Sequence, residues 1–281
     1  MDSKIDPILR WVGSKKRLID SIISNIPTKF NDYYEPFLGS GIVYLNMPFK
    51  NKAFINDYNK DLVNIYKQIK HNPSELIKTL KKYKKEYCSS KSQKEYYIKK
   101  RLKFNKLKNN YNTDRAALYI FINKTCFNGL MQTNKYGYNT SGFGKMNNPK
   151  IIDESNLIKF NKKLNSKTTI KNLDYIKFLN NCKKGDFVYM DPPYVPDDIK
   201  QCNIKYIKDG WNITDFENLV KTFKDLDKKG CYVMMSNSNS KFIRNNFSKK
   251  QYNIKKLKIS RGLCPNSDKR NTEYELLIKN F

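Results

Sequence analysis

Histidine is nearly absent from this sequence, because His71 is the single one in 281 residues. Metal sites and catalytic triads built on histidine are therefore disfavoured, and we expect no metal cofactor. No apolar run approaches the ~18 residues that a membrane span needs. The residues from Met1 to Asp6 are charged from the start, which predicts no signal peptide. We expect a soluble protein that is not secreted, cytoplasmic if of bacterial, phage or viral origin and nucleus-associated if eukaryotic.

Cysteine is too sparse for a disulfide scaffold, and no two cysteines have the spacing of a zinc knuckle or a redox motif. We expect each to be a small core or surface residue in a reducing compartment. The six are Cys88, Cys126, Cys182, Cys202, Cys231 and Cys264.

Arginine is scarce too, since only seven of the 55 basic residues are arginine. The net charge is nevertheless +29, and such an excess favours a nucleic acid partner through neutralised phosphates. The chain is also rich in Lys, Asn, Ile and Tyr, as an AT-rich genome would produce without any selection for DNA binding. Charge alone therefore does not identify the partner.

The first 57 residues predict the start of a doubly wound α/β sheet. Residues 15–25 have the apolar spacing of an amphipathic helix. A short strand at residues 33–36 then leads into the glycine turn at residues 37–41, where a helix begins, and residues 53–57 form a second strand that ends on acidic residues. Strand, glycine turn, helix and strand in this order are typical of a nucleotide-binding α/β fold.

The middle of the chain changes character. Residues 58 to about 123 predict helices almost throughout, and residues 127–148 are rich in Gly, Asn, Thr and Tyr, which indicates a hairpin or ordered loop. Strands return at residues 168–171, 187–190 and 232–236, followed by an antiparallel pair at residues 253–260 and 273–279. We therefore predict a Rossmann-like α/β domain (residues 1–57 and 151–281) interrupted by a mostly helical insertion with a hairpin (residues 58–150).

The most specific motif is Asp-Pro-Pro-Tyr at residues 191–194, which directly follows the apolar strand. It predicts an acid, two prolines and an aromatic at the carboxyl end of a sheet, where α/β folds bind ligands. The Asp191 carboxylate and the Pro192 carbonyl could accept the two hydrogens of an exocyclic amine and direct its lone pair at a methyl sulfonium. The prolines fix φ, and Tyr194 offers a face on which an extruded base can stack.

The glycine turn is less specific by itself. Gly39 and Gly41 would let the backbone approach a ligand at a helix N-terminus. Asp57, at the end of the second strand, would offer a carboxylate to ribose hydroxyls. The turn lacks the Gly-Lys-Ser/Thr of a phosphate-binding loop, which disfavours ATP chemistry.

Nearly the whole chain resembles the Dam-type (D12 class, alpha-group) DNA adenine-N6 methyltransferases, in which the cofactor motif comes first, the target-recognition region second and the Asp-Pro-Pro-Tyr motif third. The matching segments lie at residues 9–15, 35–46, 55–62, 127–130 and 191–194. The resemblance implies an enzyme that transfers a methyl group from S-adenosylmethionine to N6 of a flipped adenine in double-stranded DNA. Restriction-modification is one setting for such an enzyme.

The resemblance also assigns residues. Contacts to S-adenosylmethionine are implied for Trp11, Lys15, Phe37, Gly39, Asp57 and Asp191. The flipped adenine is assigned to Asp191, Pro192 and Tyr194. The stretch from 123 to 145 is implied to enter the DNA groove, with contacts from Lys124, Phe127, Asn128, Leu130, Gln132, Asn134 and Lys145.

Two departures from the family pattern concern the recognised sequence. The family usually carries an arginine two residues after Asn-Gly-Leu, where this chain has Gln132. Glutamine suits adenine N6 and N7, whereas arginine suits guanine O6 and N7. The usual Phe-Asn-x-Pro stretch is also altered, at residues 138–142. We therefore predict that the target differs from the family's common GATC.

Two other functions remain open from the sequence. Enzymes that methylate protein glutamine or RNA share the motif, usually with Asn in first place, and N4-cytosine enzymes often have Ser there. Asp191 favours adenine without excluding cytosine. The second alternative, a non-catalytic DNA-binding relative, is disfavoured by the intact Lys15, Gly39, Gly41 and Asp191.

Overall fold

The fold alternates strands and helices at both ends of the chain and is helical in between. The computed structural model describes residues 4–164, 166–197, 210–259 and 273–281. The strands are β1 (Tyr33–Glu35), β2 (Ala53–Asn56), β3 (Thr168–Lys171), β4 (Phe187–Met190), β5 (Tyr232–Ser238), β6 (Asn253–Ile259) and β7 (Glu273–Lys279). The helices are α1 (Ile19–Ile23), α2 (Ile42–Asn46), α3 (Lys60–His71), α4 (Pro73–Ser89), α5 (Gln93–Lys106), α6 (Thr113–Thr125), α7 (Glu154–Lys163), α8 (Tyr175–Leu179), α9 (Ile213–Lys228) and α10 (Lys241–Asn246).

The strands form one seven-stranded sheet in the order β3-β2-β1-β4-β5-β7-β6. β4 pairs in parallel with β1 and with β5, whereas β7 is antiparallel to both β5 and β6. The order therefore reverses between β1 and β4, and open α/β sheets bind ligands outside the carboxyl ends of the strands at such a point. This topology confirms the predicted Rossmann-like α/β fold with its closing antiparallel pair.

The middle strand β4 is buried along its whole length, from Phe187 to Met190. Parallel strands covered on both faces have continuous apolar sequences of this kind. The register sets Val188 against Tyr34 of β1 and Val233 of β5. Because β4 is covered on both faces, polar side chains can first be placed at its carboxyl end.

The chain divides into two compact units. The first comprises Met1–Ile19, Leu38–Pro48 and Ile55–Asp174, and the second comprises Asp20–Phe37, Phe49–Phe54 and Tyr175–Phe281. The sequence predicts a division of roles at residues 57/58 and 150/151. That division remains a prediction, because compactness does not report the role of a segment.

In the first unit, α3 to α6 form the predicted helical region, and α6 is buried on nearly all sides. Its Arg115 is buried, yet its guanidinium group is paired with Asp61 on α3, with Nη2 2.8 Å from Oδ2. Buried charges require such pairing. Two of these helices begin at asparagine side-chain caps, Asn59 before α3 and Asn112 before α6.

In the second unit, an apolar cluster packs around the buried strands and α9. Phe223 of α9 meets Phe247 edge-on, with ring centroids 4.9 Å apart. A capping box of Asn212 and Asp215 begins α9, since each side chain accepts from the other's backbone N–H. This cluster supports β4 and β5 from one face.

One predicted helix differs in the structure. Residues 15–25 form a 3₁₀ turn, Lys15–Arg17, followed by the short α1 instead of one continuous helix. The N–H of Leu18 bonds to the carbonyl of Lys15, so the first turn tightens to i→i+3 spacing. The apolar face is still buried through Ile19 and Ile22. The spacing therefore predicted the buried face correctly and the helix length wrongly.

Several other features concern the described residues only. Cys88 is exposed, and Cys126, Cys182 and Cys231 are buried, all as free thiols; Cys202 and Cys264 lie outside the described residues. In the part of the chain that the structure covers, no helix has the length and apolar character to cross a bilayer. Nor do three or more Cys, His, Asp or Glu side chains within those ranges converge as metal ligands would.

Candidate active site and recognition loop

The glycine turn in the first unit connects β1 to α2. Gly39 and Gly41 both have positive φ, at 50° and 72°, a region that favours glycine. A Cβ atom on Gly39 would lie 3.0 Å from Nε1 of Trp11, and one on Gly41 would lie 3.1 Å from the Tyr66 hydroxyl. That hydroxyl donates to the Gly39 carbonyl at 2.6 Å. Both conformation and close packing therefore require glycine here.

Asp57 holds this turn from the end of β2. Its Oδ2 accepts the N–H of Gly39 and its Oδ1 accepts the N–H of Asn59, both at 2.9 Å. Burial raises the pKa of the Asp57 carboxyl, and the backbone N–H groups of Asn59, Gly39 and Tyr58 oppose that shift. Each carboxylate oxygen has a second lone pair, so Asp57 can hold the turn and still accept from a ligand.

Lys15 is buried, contrary to what an isolated helix lysine would suggest. Its Nζ donates to the Gly13 carbonyl at 2.8 Å, and the hydroxyls of Ser14 and Ser40 are 3.2 Å apart. The segment from Trp11 to Lys15 therefore lies against the glycine turn. Four of the residues assigned to the cofactor meet in the first unit: Trp11, Lys15, Gly39 and Asp57.

The other two residues assigned to the cofactor, Phe37 and Asp191, belong to the second unit. They follow the neighbouring parallel strands β1 and β4 at the point where the strand order reverses. Phe37 packs against Tyr175 and Trp211, with ring centroids 5.0 and 6.0 Å away. Sequence reasoning missed Tyr175 and Trp211, which no local pattern connects to Phe37.

The Asp-Pro-Pro-Tyr motif begins directly after β4. Asp191 is half-buried and Pro192 is buried. The Tyr194 hydroxyl donates to Oε2 of Glu275 at 2.8 Å. Burial, and then the negative charges of Asp191 and Glu275, raise the pKa of Tyr194 far above its usual range, so the phenol stays protonated and donates. Glu275 is a third residue that sequence reasoning missed.

The loop at residues 126–145, which is predicted to contact DNA and is here called the recognition loop, follows α6 in the first unit. Phe127 and Leu130 are exposed, at 62% and 40% of their surface. Asn128 adopts a positive φ of 52°, a conformation that asparagine tolerates better than most residues. Gly129 lies so close to Arg10 that an added Cβ would be 2.6 Å from the Arg10 Cβ. This tight turn explains the Asn-Gly pair and leaves the flanking apolar side chains exposed.

Gln132 has a fixed backbone and an exposed side chain. Its N–H donates to the Ser141 hydroxyl at 2.8 Å, and its carbonyl accepts from Thr140 at 2.9 Å. Ser141 is in turn held by Arg101 and Tyr97 of α5, which donate to its carbonyl at 2.7 and 2.8 Å. A side chain that projects from such a fixed position is suited to read a base edge.

Asn134 and Lys145 differ in how they are held. The Asn134 side-chain oxygen accepts from the N–H groups of Tyr136 and Tyr138, each at 3.0 Å, so it shapes the loop tip. Lys145 is exposed at a positive φ of 53°. The bridges Thr133–Asn139 and Cys126–Phe143 close the loop, as expected for the predicted hairpin or ordered loop.

Lys124 lies at the end of α6 and is half-buried. Burial, together with the nearby positive charges of Arg10, Lys150 and Lys16, lowers its pKa to about 8. A cluster of cations that repel one another gains when an anion such as a phosphate neutralises them.

The chain is similar to known proteins over nearly its full length. The family model of the D12 class N6 adenine-specific DNA methyltransferases matches residues 11–262. A type II methyltransferase, M.MjaIII of Methanocaldococcus jannaschii, is 36% identical over 99% of this chain and 100% of its own. Another, M1.LlaDCHI of Lactococcus lactis subsp. cremoris, is 32% identical over 98% and 95%. A DNA adenine methylase of Haemophilus influenzae is 28% identical over 96% and 92%.

Proposed function

Because the chain belongs to the D12 class N6 adenine-specific DNA methyltransferases, we propose that its methyl donor is S-adenosylmethionine. The chain is thus an enzyme that methylates adenine in DNA, as its relatives named DNA adenine methylase also indicate. The identity of the donor, the role of each residue and the DNA sequence recognised are the parts that we add. Since its substrate is DNA, we infer that the enzyme works in the compartment that holds the genome.

We assign the donor to the six residues that the family resemblance implies. Asp57 would accept from ribose hydroxyls while it keeps the glycine turn in place. Gly39 would let the backbone approach the ligand, and Trp11 and Lys15 would border it. Phe37 and Asp191 complete the set, and the aromatic neighbours of Phe37 suit a planar heterocycle. When bound, the donor supplies a methyl group on a positively charged sulfur.

The chemistry that we assign to Asp191 and Pro192 is to hold the adenine amine. The lone pair of an exocyclic amine is delocalised into the ring, which makes the nitrogen a poor nucleophile. The Asp191 carboxylate and the Pro192 carbonyl would each accept a hydrogen bond from one N6 hydrogen. These two bonds would draw the nitrogen toward tetrahedral geometry. Tyr194 would stack on the base after it leaves the helix. Catalysis would then rest on positioning and electrostatics, with no covalent enzyme intermediate.

The recognition loop supplies the DNA contacts in this proposal. Phe127 and Leu130 are exposed apolar groups that can contact bases, and Lys124 and Lys145 can neutralise phosphates. Asn128 and Asn134 would set the loop backbone. Gln132 would read adenine rather than guanine, so we propose a target other than GATC. Long-read sequencing of DNA methylated by the enzyme tests this, and modification confined to GATC would refute it.

The observation that carries the proposal is the Asp-Pro-Pro-Tyr motif at the end of the buried β4, at the reversal of strand order. Calorimetric titration with S-adenosylmethionine tests the donor. We expect saturable binding by the wild type and by Asp225→Ala on the exposed face of α9, and weak binding by Asp57→Ala. If the folded wild type binds no S-adenosylmethionine, the proposed donor is wrong and the non-catalytic alternative is favoured.

A further inference from the structure

The residue after the Asp-Pro-Pro-Tyr motif is held by the end of β5. Val195 is buried, and its N–H donates to the side-chain oxygen of Asn237 at 3.1 Å. Its carbonyl accepts a hydrogen bond from the Ser238 hydroxyl. Asn237 is itself fully buried, and the same side-chain oxygen accepts the N–H of Ser238 at 2.8 Å. Both backbone polar groups of Val195 are therefore bound by two consecutive side chains.

The residue before it is held from the next strand. The Tyr194 hydroxyl donates to Glu275 at 2.8 Å, and Glu275 of β7 lies directly opposite Ser238 of β5 in the antiparallel register. Asn237, Ser238 and Glu275, here called the anchor, thus contact two successive residues of the loop after β4. All of them belong to the second compact unit.

Glu275 is an unusual residue for its position. The next three residues of β7, from Leu276 to Ile278, are all buried and apolar. A half-buried carboxylate next to three such residues carries a desolvation cost that an apolar residue would avoid. Stacking of a base on Tyr194 needs only the face of the ring. The hydroxyl and its acceptor are therefore not needed for stacking itself, but they fix the direction in which the ring points.

We propose that Glu275, Asn237 and Ser238 are positioning residues that set the catalytic loop, with Glu275 orienting the Tyr194 ring that receives the adenine. This inference rests on the proposed function of Tyr194 and assigns a purpose to three residues outside the motif. Orientation affects rate because a small misplacement of a reacting group lowers catalysis steeply. The anchor should therefore affect methyl transfer from the bound state more than it affects binding.

Single-turnover methyl transfer to unmethylated DNA tests the proposal through a double-mutant cycle. Removal of a hydrogen bond to a charged acceptor should lower the single-turnover rate about 10- to 100-fold. We expect this loss for Glu275→Ala and an equal loss for Tyr194→Phe. Glu275→Gln keeps an acceptor oxygen and should recover most of the rate. The double variant Tyr194→Phe/Glu275→Ala should be no slower than either single variant, because both remove the same interaction.

The controls separate positioning from general stability. Glu217→Ala, an exposed change on α9, should leave the rate unchanged. All variants should bind S-adenosylmethionine as the wild type does and unfold at similar temperatures. Ser238→Ala, which removes the hydroxyl that donates to the Val195 carbonyl and lies 3.4 Å from Oδ1 of Asn237, provides a second and milder test. A 2-aminopurine base at the methylated position should show weaker emission change in Glu275→Ala than in Glu275→Gln.

Each outcome decides one question. Losses that multiply in the double variant would show that Glu275 does not act through Tyr194 and would overturn the proposal. A loss of cofactor binding equal to the loss of rate would also overturn it, because the anchor would then be merely structural. A folded wild type that methylates no adenine would instead refute the proposed function.

Discussion

The loop after β4 and the loop after α6 are both held firmly along the backbone, yet they present their side chains differently. Around residues 191–195, Pro192 and Val195 are buried, and Tyr194 is tied to Glu275. Around residues 127–138, Phe127 and Tyr136 are each 62% exposed although hydrogen bonds close the loop.

The difference teaches how one chain would meet the two demands of the proposed function. Methyl transfer requires reacting groups in a fixed geometry, which buried strands provide. Sequence recognition requires side chains that reach a groove, and these must be exposed before DNA binds. In the recognition loop the hydrogen bonds are therefore made by backbone groups and by side chains such as Ser141, which leaves Gln132 exposed.

The largest effect should come from Asp191→Ala. We expect the single-turnover rate to fall on the order of 100- to 1,000-fold, as for the loss of one preorganised polar group in an active site. DNA affinity should change little, since phosphate contacts carry most of it. Rate and affinity are measured on the same DNA by filter binding and label transfer. Normal turnover in this variant would show that methyl transfer does not depend on the loop after β4 as proposed.

Tyr194→Ala should have the next largest effect. Loss of the stacking surface should weaken capture of the extruded base by ~1–3 kcal/mol. Comparison with Tyr194→Phe, which keeps the ring, separates stacking from orientation by Glu275. Steady-state KM and kcat for DNA provide the measurement, and equal behaviour of the two variants would exclude stacking as the role of the ring.

Gln132→Ala tests whether the recognition loop reads a base of the target. We expect the preference for one base pair of the target to relax by ~1–3 kcal/mol while the rate on the best site falls little. Gln251→Ala, an exposed glutamine in the second unit, serves as the matched control. Sequencing of the methylated positions in genomic DNA gives the readout. An unchanged target motif would mean that Gln132 does not read a base.

The smallest effect concerns the charge of Lys124. Its pKa in the folded protein is lowered from 10.5 to about 8, so the unfolded chain binds more protons between these values and stability should rise with pH there. As the pH rises through this range, Lys124 of the folded protein loses its positive charge, and the affinity for DNA should decrease. Fluorescence anisotropy at constant ionic strength should show this decrease in the wild type and in Lys249→Gln, but much less in Lys124→Gln. The same pH dependence in all three proteins would show that Lys124 does not contact the DNA.

Much of the fold could be predicted because its signals are local. The apolar run at residues 187–190 and the glycine turn that follows β1 define strands and their ends without knowledge of the rest of the chain. The break at Leu18 was not predictable, because the apolar spacing of a 3₁₀ turn followed by a short helix differs little from that of one helix.

The candidate site could be predicted where its residues share a motif or a family resemblance. Asp191, Pro192 and Tyr194 form one motif, whereas Glu275 is 81 positions from its partner Tyr194. That pairing depends on the order of β5 and β7 in the sheet, which no spacing in the sequence reveals. The Ser236-Asn237-Ser238 end of β5 did carry a signal, since polar residues that follow a buried strand often line a site.

The most direct test of the central claim is the chemical identity of the methylated base. Unmethylated DNA is incubated with the enzyme and S-adenosylmethionine labelled in its methyl group, and the digested nucleosides are separated. Label in N6-methyldeoxyadenosine with the wild type, and its near absence with Asp191→Ala, is the result that we predict. Label in N4-methyldeoxycytidine, or equal label in N6-methyldeoxyadenosine from both proteins, would contradict the role given to Asp191 and Pro192.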